Sequence, residues 1–275
     1  MNHNGHHPLF AYMSHHKCAT RWVNGVLRHT CRYLGLKHKV VWQPEMFNGD
    51  LSHFVSQNQI KFLAYTNANY QYVRQLPHIC GFHVVRDPRD VCVSAYFSHL
   101  NSHETHHWPE LAQHRQALQR LPKDEGLLLD MDFVAPYMAD MASWDYQDPH
   151  FIQIRMEDLT NNPYQQFATI FRFLGLLDEQ PLTIGRQARY AFSRRLYGSQ
   201  SQLPIEKLLW IIWQNDFSKK SGGRSSGQED ITKHYRKGTA GDWRNHFQQT
   251  HIAHFKQRYN SLLLKLGYEQ DEDWF

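Results

Sequence analysis

The chain has little excess of either charge, few cysteines and no long apolar run. Its 275 residues carry 30 Lys and Arg against 26 Asp and Glu, a formal charge of +4, with the cations scattered. Nucleic-acid binders concentrate positive charge in a stripe, so that class is not expected. Four cysteines (Cys18, Cys31, Cys80, Cys92) lack C-x-x-C spacing, which argues against a disulfide scaffold and predicts reduced thiols in a cytoplasmic protein. No apolar segment reaches the roughly 20 residues of a membrane span, and the start, M-N-H-N-G-H-H-P-L-F, is too polar for a signal peptide. No membrane partner is therefore expected. The sequence has no G-x-x-x-x-G-K-[ST] and no acidic cluster, so neither an ordinary ATP-type phosphate loop nor a required metal is predicted. With no internal repeat, the reading is one domain over 1–275.

What is present alternates strand and helix. Apolar runs at 9–13, 39–42, 61–66, 79–85 and 151–155 predict strands. Between them, Trp22, Val26, Leu27, Cys31 and Leu34 recur at helical spacing and stop at Gly35. Asp87-Pro88 has the residue types of a helix cap and first turn. Pro163 opens a helix whose Phe167, Ile170, Phe171 and Leu174 share a face, and Ile252 to Leu266 form a long amphipathic helix before Gly267. The stretches 107–145 and 180–216 read as largely helical insertions over the sheet edge. Residues 219–230, K-K-S-G-G-R-S-S-G-Q-E-D, read as a flexible loop. This alternation predicts an α/β fold of three layers, a mostly parallel central sheet with helices on both faces.

Three segments have the residue types of an anion site. The first strand leads into H-H-K-C-A-T-R-W at 15–22, placing Lys17 where a helix N-terminus presents free N–H groups. Arg86 closes an apolar strand, and Ser94 lies in the helix after it, so a guanidinium and a hydroxyl can reach one phosphate. The bland alternative for these arginines is an ion pair with Asp90. Arg236 and Lys237 precede Gly238, two cations on backbone free to wrap an anion, and Trp243 anchors the loop beyond.

In this order, the segments resemble the PAPS-dependent sulfotransferase family, which moves a sulfonyl group from 3′-phosphoadenosine-5′-phosphosulfate to an acceptor. The resemblance implies the family's P-loop-like fold. It also implies that Lys17, Cys18, Ala19, Thr20, Arg21 and Trp22 grip the 5′-phosphosulfate, in a loop that usually reads Lys-Ser-Gly-Thr-Thr-Trp. Arg86, Ser94, Arg236, Lys237 and Gly238 would then hold the 3′-phosphate. Met156 stands where the family's segment near adenine commonly has tyrosine, and Trp22 is the alternative base-stacking group. The donor would be PAPS and the product PAP. The acceptor, a small molecule, carbohydrate or lipid bearing a hydroxyl or amine, and the oligomeric state stay open.

Sulfonyl transfer resembles phosphoryl transfer: an in-line displacement with charge developing on the leaving oxygen. Lys17 is the residue expected to neutralise it. An acceptor hydroxyl also needs a base. Where cytosolic members carry a histidine, this chain has Asn67, which cannot take a proton. Q-P-E-M-F-N-G at 43–49 resembles the glutamate segment of heparan-type members, which makes Glu45 the base expected from the resemblance and His53 its alternative. A nucleotide-binding protein without turnover is the competing reading. A remoter one is a zinc hydrolase through His103-Glu104-x-x-His107, disfavoured by Trp108-Pro109 at its end and by the lack of a third ligand. His99, His103 and His107 read as partly exposed helix residues, with the lining of an acceptor cleft as the alternative.

Overall fold

In the computed structural model the described residues are 8–181, 183–197 and 201–275. In chain order the elements are β1 (Leu9–Ser14), α1 (Thr20–Leu34), β2 (His38–Val41), α2 (Leu51–Gln57), β3 (Phe62–Tyr65), α3 (Tyr70–Val73), β4 (Ile79–Val85), α4 (Pro88–Phe97), α5 (Pro109–Leu118), α6 (Lys123–Phe133), α7 (Ala135–Ser143), β5 (Phe151–Arg155), α8 (Met156–Asn161), α9 (Pro163–Phe173), β6 (Leu177–Asp178), α10 (Ile184–Tyr197), β7 (Leu203–Pro204), α11 (Ile205–Gln214), α12 (Phe217–Lys220) and α13 (Gln249–Lys265). They fall into two compact units. Of the described residues, one gathers those up to His15 with Ala19–Val85 and Asp145–Asp216; the other gathers His16–Cys18, Arg86–Trp144 and Phe217–Phe275.

The first unit holds the sheet, in the order β2-β3-β1-β4-β5, with every neighbouring pair parallel. Phe10 to Met13 and Phe62 to Tyr65 are all buried. Successive strand residues point to opposite faces, so both faces of the sheet are covered, as an apolar run without alternation requires. The register, Met13 beside Tyr65 and Ser14 beside Val84, ends β1, β3 and β4 level at their carboxyl edge. Helix α1 buries Val23, Val26, Leu27, Cys31 and Leu34 and stops at Gly35, whose φ of 68° is the left-handed cap anticipated from the sequence. Helix α9 starts at Pro163 and buries Phe167, Ile170 and Phe171. Within 180–216 the described residues include a short strand where helix was expected. Leu203–Pro204 pairs in parallel with Leu177–Asp178, and a two-residue strand carries no period to read.

The second unit is helical. Asp87 caps α4 by accepting from the Arg89 backbone N–H at 2.9 Å, and Pro88 occupies the first turn. After Phe97 the helix widens into a π-helical turn, Ser98–Ser102. Tyr259 of α13 donates to the Met131 carbonyl of α6 at 2.6 Å. Arg89 is a structural cation: it ion-pairs with Asp87 and Glu269 and lies 4.0 Å over Trp243 and 4.8 Å over Trp274. The segment 219–230 is tied to residues 236–238. The Gly227 and Asp230 N–H groups donate to the Lys237 and Arg236 carbonyls at 2.8 and 2.9 Å, and the Ser226 hydroxyl to that of Gly238 at 2.8 Å.

An unusual number of histidines are held neutral. Burial pushes His15 down to about 3 and His38 down to about 4, where Arg28 adds to the effect. Burial likewise holds His83 well below its ordinary value, reinforced by His15. An unfolded chain takes up protons on these side chains below about pH 6.5 and the folded chain does not, so acid favours unfolding. His15 alone is expected to remove about 2 kcal/mol of stability between pH 6.5 and pH 5. Urea unfolding at the two pH values checks it; an unchanged midpoint would contradict the burial of neutral imidazoles.

Candidate donor site

Two residues of the first segment hold a backbone conformation unusual for their type. Lys17 has φ 63° and Ala19 φ 59°, both left-handed and bracketing the buried Cys18. That conformation costs a non-glycine residue about 1–2 kcal/mol. Ala19 stands where the family pattern has glycine, the residue that adopts it without penalty. Thr20 opens α1, Arg21 is exposed and Trp22 is half-buried, its ring edge-on to Phe167 at 5.6 Å. Thr20 to Trp22 belong to the first unit, whereas Lys17 and Cys18 belong to the second.

The second unit brings Lys17 to Arg86: the guanidinium Nη1 donates to the Lys17 carbonyl at 3.1 Å. Arg86 and Asp90 are both buried. Burial raises Asp90 above the ordinary carboxylate value, while the charge of Arg86 opposes it. The Asp90 carboxylate accepts from the backbone N–H groups of Gly241 at 2.6 Å and Trp243 at 2.9 Å. It therefore fastens the C-terminal segment to α4 as well as balancing an arginine. Ser94 sits half-buried one helical turn further along α4.

In the third segment Arg236 lies 4.6 Å over the Phe97 ring and pairs with Glu229 and with Asp242, the latter at 2.5 Å. Lys237 reaches the other Asp242 oxygen at 2.5 Å. Burial alone would raise Asp242, but hydrogen bonds from His246, Lys237, Asn245 and Arg236 hold it well below the usual carboxylate range. The buried carboxylate thus sets the spacing of the two cations. Gly238 has φ 72°, and a Cβ there would meet the Phe217 ring at 2.7 Å. Glycine is required for conformation and space alike.

The candidate bases stand on other elements. Glu45 is exposed on a 3₁₀ turn, Pro44–Phe47, and His53 is exposed on α2. Both belong to the first unit, as do Asn67 and Met156. Residues 103–107 are not helical, since the π turn ends at Ser102 and α5 begins at Pro109. His103 and His107 therefore do not share a helix face, and the zinc-hydrolase pattern lacks its geometry.

The expectation of partly exposed histidines is wrong for His99, which is fully buried. His16 Nε2 lies 3.0 Å from His99 Nε2, and His99 Nδ1 lies 2.7 Å from Asp130 Oδ1. The same oxygen receives His114 Nε2 at 2.8 Å. Burial favours a neutral Asp130, yet the two histidines hold its carboxyl below the ordinary value. Among the described residues, two groups bring three possible metal-ligand atoms together: His99, His114 and Asp130, and Glu229, Asp242 and His246. Each residue of both groups already takes part in hydrogen bonds or ion pairs within its group or with a neighbouring cation. Around the first group the sequence signalled only His16, through the H-H-K run before the predicted helix. Asp130, 31 residues beyond His99, carries no local mark.

The fold and these segments define a member of a known family. The chain belongs to the sulfotransferase domain family, whose profile matches residues 79–267. That span takes in Arg86, Ser94 and the R-K-G segment and begins after Lys17. Among solved structures it is similar to mouse sulfotransferase SULT7A1 complexed with PAP: 18% identity, 95% of this chain and 86% of that one covered, TM-score 0.54. It is also similar to retinol dehydratase in complex with androsterone and inactive cofactor PAP: 16% identity, 93% and 80% covered, TM-score 0.50. At these identities the likeness establishes the fold. No curated protein sequence matches the chain. No helix among the described residues is long and apolar enough to cross a membrane.

Proposed function

We propose that the protein transfers a sulfonyl group from PAPS to a hydroxyl or amine acceptor by in-line displacement, releasing PAP. The observation that carries this reading is the gathering of Lys17, Arg86, Ser94, Arg236 and Lys237 in one compact unit. Arg86 bonds the Lys17 loop and Asp90 fastens the R-K-G segment to the Ser94 helix. Fixed cations spaced by a buried carboxylate suit a ligand with two separate anionic groups, such as a 5′-phosphosulfate and a 3′-phosphate. Lys17 would stabilise the charge on the leaving phosphate. Arg86, Ser94, Arg236 and Lys237 would recognise the 3′-phosphate, and the Gly238 backbone would let the loop close around it. Relatives crystallised with PAP support the donor.

Titration calorimetry with PAP and a radiolabelled-sulfate transfer assay over phenol, sugar and lipid acceptors test the reading. PAP is expected to bind. Arg86→Ala or Lys237→Ala is expected to weaken it by about 10- to 100-fold, the loss of a hydrogen bond to a charged group. Unchanged affinity in both variants would remove the site. Binding with no transfer to any acceptor would instead favour a nucleotide-binding protein without turnover.

A further inference from the structure

The consecutive histidines at the end of β1 belong to two different chains of hydrogen bonds. His15 Nε2 lies 2.8 Å from His83 Nε2, and His83 Nδ1 meets the Gln153 side-chain oxygen at 2.7 Å. That chain, in the first unit, ends on a neutral amide. His16, in the second unit, meets His99 and through it the Asp130 carboxylate. That chain ends on a buried anion, and its outer imidazole is the residue immediately before Lys17.

The bonding fixes the tautomers. An ionised Asp130 only accepts, so His99 carries its proton on Nδ1 and presents the Nε2 lone pair. His16 must then donate from Nε2, which leaves His16 Nδ1 as the basic atom. We infer that His16 is the general base of this enzyme and that His99 and Asp130 are its positioning residues. The inference rests on the sulfotransferase reading proposed for the donor site.

In the step, the acceptor oxygen attacks sulfur as its proton passes to His16 Nδ1. The acceptor O–S bond forms, the bond from sulfur to the bridging phosphate oxygen breaks, and that oxygen leaves as part of PAP beside Lys17. The new positive charge is shared across the His16–His99 bond and lies one hydrogen bond from Asp130. Asp130 Oδ2 has no hydrogen-bond partner among the described residues, so both histidine contacts fall on Oδ1. His114 steadies that oxygen while its ring stacks on Phe133 at 3.9 Å. His99 lies in the π-helical turn after α4, on the same face as the buried Cys92, Ala95 and Tyr96.

The surroundings suit a base. The His16 ring stacks on Tyr137 at 4.6 Å, and Trp108 stands edge-on at 6.1 Å. The other titratable or charged groups facing it are Lys17, His99, His103 and His234. Burial, reinforced by His99 and Lys17, holds His16 well below its ordinary value, so it is neutral and able to accept a proton across the physiological range. An entering phosphosulfate neutralises Lys17 and makes the imidazole more basic at the moment it is needed.

The test follows PAPS turnover with the same acceptors, and with water where no acceptor is supplied, alongside PAP calorimetry and ¹⁵N-histidine NMR. His16→Gln is expected to lower turnover about 100-fold or more, the ordinary contribution of a general base. PAP affinity should stay within about threefold, because the base does not hold the donor. Asp130→Asn should lower turnover and move the acid limb of kcat to lower pH, since an imidazolium that loses its anion gives up its proton more readily. A merely structural Asp130 would lower the rate without moving the limb. The wild-type spectrum should show His99 protonated on Nδ1 and His16 on Nε2. Retained turnover in His16→Gln, loss of turnover only in Glu45→Gln, an unmoved acid limb or the opposite tautomers would overturn the inference while leaving the sulfotransferase reading intact. Wild-type protein that binds PAP and transfers nothing would overturn both. Melting temperatures and PAP binding of each variant separate a chemical loss from misfolding.

Discussion

Lys17→Ala should lower kcat by about 10²- to 10³-fold, the usual effect of removing one preorganised charge from a developing anion. Affinity for PAP should change far less, because Arg86, Arg236 and Lys237 would still hold the other phosphate. Alanine is the informative replacement. Residue 17 is left-handed, with φ 63°, and alanine retains the strain that glycine would relieve. The Arg86 bond reaches the residue-17 backbone carbonyl and survives the substitution. What disappears is the charge, whose influence already extends to His16, His99 and His103. The variant is decisive because the family profile begins at residue 79. The role of Lys17 therefore rests on its loop and on Arg86, and an unchanged kcat would reduce Lys17 to the cap of a strand end.

The parts of the site legible in the sequence were those encoded by neighbouring residues. Asp87-Pro88 announced α4, Gly35 closed α1, and R-K-G marked a cationic turn; each is a local effect of backbone chemistry. The arginines at 86 and 89 look alike in sequence because both lie close to Asp87 and Asp90. Only packing separates them: Arg89 is sandwiched by Trp243 and Trp274, whereas Arg86 reaches the Lys17 loop. His99 was misplaced for a packing reason. Its face of the α4 period, with Cys92, Ala95 and Tyr96, is buried, and what covers that face is tertiary packing that the polar run after Phe97 does not announce. Asp130 was invisible because α6 brings it to His99 by tertiary packing, which no spacing rule registers. The control of Arg236 and Lys237 by Asp242 was missed although only five residues separate the lysine from the carboxylate. Burial gives that carboxylate its effect, and burial is not local.

Asp90→Ala should destabilise the protein by about 2–4 kcal/mol, because it leaves one buried and one half-buried backbone donor unpaired, at about 1–3 kcal/mol for a buried one. The donors are the Gly241 and Trp243 N–H groups, 2.6 and 2.9 Å from the Asp90 carboxylate. Asp90 is almost fully buried, which limits how far water can replace the lost bonds. At about 2–4 °C per kcal/mol for a chain of this size class, the melting temperature should fall by several degrees or more. Electrostatics alone predicts the opposite sign for donor binding: removing a carboxylate beside Arg86 makes the pocket more attractive to phosphate. Geometry predicts a loss, since Arg236 and Lys237 would no longer be fastened to α4. Geometry is expected to win, because a misplaced bidentate cation forfeits its hydrogen bonds whereas the Coulomb gain is screened. Amide hydrogen exchange supplies the direct reading: the Gly241 and Trp243 amides should exchange much faster in Asp90→Ala, and Asp90→Asn, which retains one acceptor, should fall between. Unchanged exchange with tighter PAP binding would leave Asp90 as a simple counter-charge to Arg86 rather than the residue that holds the R-K-G segment in place.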